Sequence, residues 1–534
     1  MSIDSRSPSP PALTTGVDSP GRQNTSQQNA TATDSALEQN FWRYAVAFLL
    51  LFTACSVAID VRLTMWNDEI RTLYVAQQGG ATGIVKATRQ GMDATPPLYP
   101  MMVASILPVI RPDALAVRLL STLGFAGMLA CVLAFCRRRM PAVYALTAAL
   151  LLALTCGFYA TEGRCYGLVL GCAAGSLLAC QSVAEGRRRR LSLILLALCL
   201  ALGTALHYYA IFLLAPLGLA ELVRWRTERR RDFAVPAAML PALAVLALHY
   251  PLIEAGRKYL THFWGPGIAA WKQIPAFYME FALIPAGVLL VGFVVRSLRP
   301  SGEHRTSPYS LLPRHEWVAV SALAAMPVLV VAISRFTTHV FVARYTLWGA
   351  IGIAIVTAAV LCLSLRRQPM AGAAIAAVLL VVLFGREFYA LRQKPTLRQG
   401  EAVRRELQLV PDGTEPILVG YDHAFMELSY YADPRLRSRL YYATDQRLEL
   451  QYKGTDLDYF LMSAMGQRTK LNIVELDAFL RRNPRFILAA SDGDYLPKYL
   501  AAQGYCLRPA SAAAPDSLYE VASPDNANSS CAKP

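Results

Sequence analysis

Long apolar runs recur along most of this chain and limit its fold more than any other feature. The first extends from Phe41 to Val61, and about 20 apolar residues are enough for a helix to cross a bilayer. Ten more follow, at 114–136, 141–159, 164–184, 191–206, 208–224, 233–253, 277–297, 316–334, 342–364 and 371–391. Charged residues make up only 17% of the chain, against about 25% in soluble domains. The pattern predicts a polytopic α-helical membrane protein with about eleven transmembrane helices.

The arginines are grouped in short clusters between the apolar runs. A net charge of +15 would also fit a nucleic-acid-binding protein, but such a protein gathers its basic residues on one face or tail. With a cytoplasmic N-terminus, all clusters would lie inside, as the positive-inside rule requires. The clusters are 137–139, 187–190, 224–231, 296–314 and 366–367. This orientation requires that Pro96–Ile110, which holds four prolines, forms a short interfacial or re-entrant helix and does not cross.

Three regions follow from composition. Residues 1–40 are rich in Ser, Thr, Pro, Asn and Gln, which predicts a disordered cytoplasmic tail without a cleavable signal peptide. Residues 41–393 form the predicted transmembrane domain, with a long outer loop at 62–113. Residues 394–534 alternate short strand-like and helical segments, as expected for a small extracytoplasmic α/β domain. In this last region, the motif Asp456-Leu457-Asp458 is interpreted as a surface turn, and pairing between Cys506 and Cys531 is left open.

The clearest local motif is Trp66-Asn67-Asp68-Glu69-Ile70-Arg71, directly after the first span. Carboxylates at a membrane surface are costly unless they are paired or hydrated. One of them can take the proton of a sugar-acceptor hydroxyl, which is what glycosyl transfer requires of a general base. Arg71 can pair with Asp68 or with a phosphate group. The structural alternative is a solvated first helical turn, where acidic residues are favoured by the helix dipole.

Other polar residues are expected at the same membrane face. Asp93 precedes a rigid Pro-Pro turn and is either presented toward Asp68 or an ordinary helix cap. Arg164 and Arg344 begin outer helix ends, against the positive-inside pattern, and either bind an anion such as a lipid phosphate or snorkel and pair with carboxylates. His207 is expected at the outer tip of a tight hairpin, either facing substrate or as an interfacial histidine.

Taken together, these motifs resemble the GT-C superfamily, which includes protein O-mannosyltransferases and lipid A aminoarabinose transferases. The resemblance extends over most of residues 41–391. It is carried by Asp68-Glu69, by Asp93 with Pro96-Pro97-Leu98-Tyr99, and by Arg164-x-Tyr166, His207-Tyr208 and Arg344-Tyr345. Arg71 also fits, because the aminoarabinose transferases carry Asp-Glu-x-Arg at this point. No subfamily matches throughout, so acceptor-specific residues do not carry over.

The resemblance implies a polyprenyl-phosphate sugar donor and a catalytic role for Asp68, with Glu69 beside it and Asp93 as a further candidate. The residues implied in binding the donor phosphate are Arg71, Lys86, Arg89, Arg164 and Arg344. The residues expected in the substrate pocket are Tyr99, Tyr166, His207 and Tyr345.

The predicted function is an inverting glycosyltransferase of the inner or plasma membrane, which moves a sugar to a lipid, glycan or protein hydroxyl on the outer face. No C-x-x-C pair is present, so no zinc site is suggested; no cofactor is assigned, and a requirement for a divalent cation is left open. Two alternatives are a lipid or polysaccharide transporter or flippase and a non-catalytic envelope-assembly protein. Against the first, the chain shows no paired halves with matching broken helices.

Overall fold

The structure is a computed structural model that describes residues 38–260, 262, 270–298, 311–334, 336, 341–365, 369–408, 413–490, 493–511 and 517–524. Most of the predicted N-terminal tail, the arginine pair at 366–367 and Cys531 therefore lie outside the described residues.

Helices dominate the first 392 residues. In chain order they are α1 (Phe41–Arg62), α2 (Asn67–Ala76), α3 (Gly80–Arg89), α4 (Leu98–Ile106), α5 (Asp113–Arg137), α6 (Ala142–Cys156), α7 (Tyr166–Ala184), α8 (Arg189–Leu206), α9 (Leu214–Glu228), α10 (Ala234–Leu248), α11 (Tyr250–Leu260), α12 (Gln273–Ser297), α13 (Arg314–Ala324), α14 (Met326–Ser334), α15 (Gly349–Ser364) and α16 (Pro369–Arg392). Short 3₁₀ turns occupy Gly157–Ala160, Tyr208–Leu213, Ala270–Lys272 and Ala343–Thr346.

Among the described residues, eight helices are long and apolar enough to cross a membrane, and ten if two bent pairs each count as one span. The pairs are α10 with α11 and α13 with α14, bent by 47° and 54°. Helix α15 is apolar but has only 16 residues, about 24 Å against a hydrocarbon core of about 30 Å. A helical membrane protein is thus confirmed, whereas the predicted count of eleven spans is not.

The loop between α1 and α5 contains three short helices that do not span. Helix α4 covers nine residues, about 14 Å of helix, which is too short to cross a bilayer. It packs with α2 against the start of α5. The segment Pro96–Ile110 therefore has the short helix that the sequence led us to expect.

Arginines of the clusters 137–139, 187–190 and 224–231 lie at one end of the bundle, which we call the arginine end. Arg138 and Arg139 both pair with Glu185, and Arg139 also pairs with Glu316. Asp232 joins Arg189 to Arg224 at distances of 2.7 and 2.8 Å. These contacts connect the ends of five helices, α5, α7, α8, α9 and α13, and the polar groups of the first loop lie at the opposite end.

Residues 401–524 contain a six-stranded mixed sheet flanked by helices, here called the C-terminal domain. The strands are β1 (Ile417–Val419), β2 (Leu440–Thr444), β3 (Ile473–Glu475), β4 (Arg485–Ala489), β5 (Cys506–Pro509) and β6 (Leu518–Ala522), in the order β3-β2-β1-β4-β6-β5. The first four are parallel, and β6 is antiparallel to β4 and β5. The helices are α17 (Glu401–Leu407), α18 (Asp422–Tyr431), α19 (Pro434–Arg439), α20 (Gln446–Lys453), α21 (Leu457–Arg468), α22 (Leu476–Arg482) and α23 (Leu496–Ala502).

The C-terminal domain packs directly on the first loop. The Tyr431 hydroxyl accepts a hydrogen bond from the backbone N–H of Met65 at 2.6 Å, and Tyr430 donates to Asp113 at 3.2 Å. One apolar core is continuous across this contact. Asp456 differs from the surface turn expected from sequence, since it is 2% exposed and accepts a hydrogen bond from Gln446 at 2.9 Å. Cys506 is disulfide-bonded.

Candidate active site

A cavity of about 190 Å³ lies at the end of the bundle opposite the arginine end. Its walls come from α2, the loop before α4, the start of α7, the two 3₁₀ turns at Tyr208–Leu213 and Ala343–Thr346, and helix α21 of the C-terminal domain. The lining residues are Asp68, Arg71, Asp93, Ala94, Thr95, Pro96, Arg164, Tyr166, His207, Tyr208, Tyr209, Arg344, Tyr345, Leu457 and Leu461. Eight of the twelve residues predicted from sequence are in this set.

Asp68 is the carboxylate that the cavity leaves most open, with 14% of its side chain exposed. It sits in the first turn of α2, where the helix dipole favours negative charge. Its Oδ2 atom is 3.8 Å from a terminal nitrogen of Arg344. Burial alone would raise its pKa, but the nearby charges of Arg164, Arg71 and Arg344 hold the pKa of Asp68 below its usual value. Asp68 is therefore ionised at neutral pH.

Two arginines in the cavity wall have hydrogen-bonding capacity left over. The buried Nε–H groups of Arg71 and Arg344 have no partner among the described residues. The guanidinium of Arg344 also lies 5.9 Å from the centre of the Tyr166 ring. A buried donor without an acceptor is unfavourable, and planar arginine forks match the oxygens of phosphate and carboxylate groups. This part of the wall is therefore complementary to an anion.

Arg164 and Asp93 form a buried ion pair in the same wall. Arg164 donates to Asp93 Oδ2 at 2.9 Å and to the Thr72 hydroxyl at 3.1 Å. Asp93 also accepts the backbone N–H of Thr95 at 2.9 Å, which fixes the turn before α4. Arg164 thereby has a counter-ion at hydrogen-bonding distance, whereas Arg344 lies 3.8 Å from Asp68. Asp93 lines the same cavity as Asp68, but it does not cap α4, whose N-cap residue is Pro97.

Aromatic rings form the side of the cavity away from α2. The rings of His207 and Tyr209 lie 5.0 and 4.9 Å from that of Tyr345, and Tyr166 packs on His207 at 5.8 Å. Burial, with the charges of Arg164 and Arg344, lowers the pKa of His207 to about 3. The imidazole is thus neutral at pH 7, and its buried Nδ1 has no partner among the described residues. Such a wall combines apolar ring faces with a polar atom for a ligand hydroxyl.

Glu69 points away from the cavity. Its carboxylate accepts two hydrogen bonds from Arg118, at 2.7 and 2.6 Å, and one from the backbone of Gly163 at 2.6 Å. It also closes a capping contact with the backbone N–H of Trp66 at 3.2 Å. All of its acceptor capacity is used inside the protein, which favours a supporting role over the catalytic one predicted beside Asp68.

Three other predicted residues lie outside the cavity wall. Lys86 and Arg89 are exposed on helix α3. Tyr99 is 3% exposed and donates its hydroxyl to the carbonyl oxygen of Val117 at 2.7 Å. The structure therefore does not bring these three together with Asp68, and their predicted binding roles stay predictions.

Sequence reasoning missed two charged residues that support the site. Arg118 was hidden in an apolar run, where an arginine is itself a signal of a buried polar partner. Asp422 lies 3.7 Å from Arg71 but comes from the C-terminal domain, and no local pattern in the sequence connects the two. The described residues contain no group of three or more His, Cys, Asp or Glu side chains that could hold a metal ion.

The chain was compared with known proteins. No protein-family model matches it, and no curated protein matches its sequence. Among solved structures, ArnT from Cupriavidus metallidurans in the apo state is similar, with 15% identity, 91% of this chain and 98% of that chain covered, and a TM-score of 0.42.

Two further structures give similar results. ArnT bound to undecaprenyl phosphate has 15% identity, 93% and 99% coverage and a TM-score of 0.38. The Archaeoglobus fulgidus oligosaccharyltransferase in complex with zinc and sulfate has 11% identity, 89% and 72% coverage and a TM-score of 0.41. All three TM-scores lie below 0.5. Similarity at this level does not establish a function, so the function has to be inferred from the cavity.

Proposed function

We propose that this protein is a membrane glycosyltransferase that transfers a sugar from a polyprenyl-phosphate donor to an acceptor hydroxyl. The reaction takes place in the cavity at the end of the bundle opposite the arginine end. By the positive-inside rule that end faces the outside of the cell. The donor reaches the cavity sideways from the bilayer, and the acceptor comes from the outer surface.

One observation carries this proposal. An ionised carboxylate, Asp68, shares a cavity with two arginines, Arg71 and Arg344, whose buried Nε–H groups lack partners among the described residues. A base beside anion-binding donors is what glycosyl transfer from a phosphate leaving group requires, since the leaving group needs electrostatic stabilisation more than it needs an acid. A transporter or an assembly scaffold would not need this combination.

The chemical step is a single displacement. Asp68 accepts the proton of the acceptor hydroxyl, and the acceptor oxygen forms a bond to the anomeric carbon. The bond from that carbon to the phosphate oxygen breaks, and polyprenyl phosphate leaves with both bonding electrons. Arg344 and Arg71 stabilise the negative charge that develops on the leaving phosphate. Attack opposite to the leaving group inverts the anomeric centre.

The other lining residues position the substrates. The Arg164–Asp93 pair holds the turn before α4 against α2, so that Asp68 and the arginines keep their separation. The rings of Tyr166, Tyr345 and neutral His207 provide a face on which a sugar can pack, with His207 as a hydrogen-bonding partner for a hydroxyl.

The proposal is tested by sugar transfer in proteoliposomes with radiolabelled polyprenyl-phosphate sugars as donors. Asp68→Asn keeps the size of the side chain but removes the base, and we expect kcat to fall by about a hundredfold or more. Asp113→Asn is the matched control, because Asp113 is a carboxylate of the same outer region that does not line the cavity. Equal transfer by wild type and Asp68→Asn would remove Asp68 from the reaction. No transfer by wild type with any of several donors would reject the glycosyltransferase itself.

A further inference from the structure

The C-terminal domain reaches the candidate active site through Asp422, which contacts Arg71. We infer that Asp422 is a positioning residue that holds the Arg71 guanidinium in place for the donor phosphate. This inference rests on the proposed function. It means that the C-terminal domain contributes a residue to the donor-binding site.

Asp422 joins the two parts of the protein at a buried point. Its Oδ2 atom lies 3.7 Å from a terminal nitrogen of Arg71 and accepts a hydrogen bond from the side-chain amide of Asn67 at 3.3 Å. Its Oδ1 atom is 2.8 Å from Nδ1 of His423. The residue is only 1% exposed, so water competes little with these contacts.

The sheet determines where Asp422 lies. Asp422 begins α18 and follows β1 after two intervening residues, at the carboxyl end of a central strand that pairs with β2 on one side and β4 on the other. The chain leaves β1 for β2 and β3 and returns to β4 on the opposite side, so this end is a topological switch point of the sheet. Ligand-binding crevices form at such points in open α/β sheets, and here α18, which begins at this point, packs against α2.

The contacts of Arg71 use a terminal nitrogen and leave its Nε–H group available for a ligand. One terminal nitrogen lies 3.7 Å from Asp422 and donates to the side-chain amide oxygen of Asn67 at 3.4 Å. The buried Nε–H is left without a partner among the described residues. An arginine side chain loses rotamer entropy when it is fixed on a ligand. Fixing the guanidinium before the ligand arrives removes part of that loss.

Contacts other than those of Asp422 also attach the C-terminal domain. The hydrogen bond between Tyr431 and Met65, the contact between Tyr430 and Asp113 and the continuous apolar core hold the domain on the first loop. The contact between Asp422 and Arg71 is therefore available for another role. Leu457 and Leu461 of α21 line the same cavity, which places a second element of this domain against the ligand.

A double-mutant cycle tests the inference with the full-length protein in nanodiscs. Binding of tritiated polyprenyl phosphate is measured for wild type, Asp422→Asn, Arg71→Met and the double variant. We expect Asp422→Asn to weaken binding about fivefold and to have no further effect when Arg71 is already Met, because contacting side chains are not additive. Tyr431→Phe is the matched control, since it removes a hydrogen bond of the same interface without touching Arg71, and it should leave binding unchanged.

Transfer kinetics distinguish positioning of Arg71 by Asp422 from a purely structural role of Asp422. Asp422→Asn should raise the KM for the donor and leave kcat and the acceptor KM unchanged. If Asp422→Asn fails to fold, Asn67→Ala takes its place, because Asn67 bridges Asp422 and Arg71.

The outcomes separate the inference from the proposed function. Losses that add in the double variant, or an Asp422→Asn protein that binds like wild type while Arg71→Met binds weakly, would overturn the role of Asp422 alone. Unchanged binding by Arg71→Met would remove Arg71 from the donor site and overturn the part that the proposed function gives to Arg71.

Discussion

Glu162 is a second carboxyl group near Asp68 and has a different protonation state. It is 2% exposed, and its Oε2 atom has no partner among the described residues. Burial raises its pKa to about 8, with help from the charges of Asp68 and Glu69 and against the effect of Arg344. Glu162 is therefore mostly neutral at pH 7 and becomes negative above pH 8.

Ionisation of Glu162 should lower activity at alkaline pH, because a new negative charge competes with the donor phosphate for Arg344. We expect kcat/KM for the donor to fall as the pH rises through 8, and Glu162→Gln to remove that fall while keeping the activity at pH 7. The measurement is a pH profile of transfer from pH 6 to pH 10 for both proteins. An unchanged alkaline fall in Glu162→Gln would assign it to another group.

Arg344 and Arg398 allow a comparison of two arginines close to the site. Arg344 lines the cavity, and its Nε–H has no partner among the described residues, whereas Arg398 lies outside the cavity wall and stacks on the Trp66 ring at 4.6 Å. Lysine keeps the charge but lacks the planar fork. Arg344→Lys should therefore raise the donor KM about tenfold, the cost of roughly one charged hydrogen bond, and Arg398→Lys should not. Equal donor KM values for the two variants would show that only overall charge matters.

At the scale of elements, Glu69 and Arg118 fasten helix α2 to α5. Arg118 also donates to the backbone oxygens of Asp60, Leu63 and Thr64, so one guanidinium fixes the whole turn between α1 and α2. Breaking a buried pair leaves an uncompensated charge. Glu69→Gln should lower the free energy of unfolding by about 3–5 kcal/mol, with polyprenyl-phosphate binding retained at low temperature. A protein of wild-type stability without activity would instead restore the catalytic role that the sequence predicts for Glu69.

At the scale of elements, the sequence predicts features that are encoded in one continuous stretch of residues better than contacts between distant residues. Helices α1 and α5 follow from apolar runs, and the short α4 follows from four prolines in a segment too short to cross. The bends between α10 and α11 and between α13 and α14 were not predicted, because the sequence shows one continuous apolar run across each bend. Arg71 was recognisable beside Asp68, but Asp422 was not, since about 350 residues separate them and only the tertiary fold brings them together.

At the scale of the whole molecule, the number of crossings is limited by where the described chain begins and ends. Glu38 pairs with Arg137, so the described part of the chain starts at the arginine end. Near the end of α16, Arg386 donates to the backbone oxygens of Ala153 and Leu154 at 2.9 and 2.6 Å, close to the cavity end. A chain that starts at one end and finishes at the other crosses an odd number of times. Eight spans and two bent pairs make ten, and we therefore predict that α15 crosses as well.

Epitope tags in the full-length chain test this prediction. A tag after Leu347 should be labelled by antibody in intact spheroplasts, and a tag after Leu365 only after permeabilisation, because α15 lies between them. Tags at the two termini serve as controls, with the N-terminal tag expected inside and the C-terminal tag outside. The 16 residues of α15 are short for a bilayer, and crossing would require local thinning or burial of its ends, at a cost of fractions of a kcal/mol per Å. If the tags after Leu347 and Leu365 were labelled on the same side of the membrane, α15 would not cross. Another segment would then have to supply the eleventh crossing.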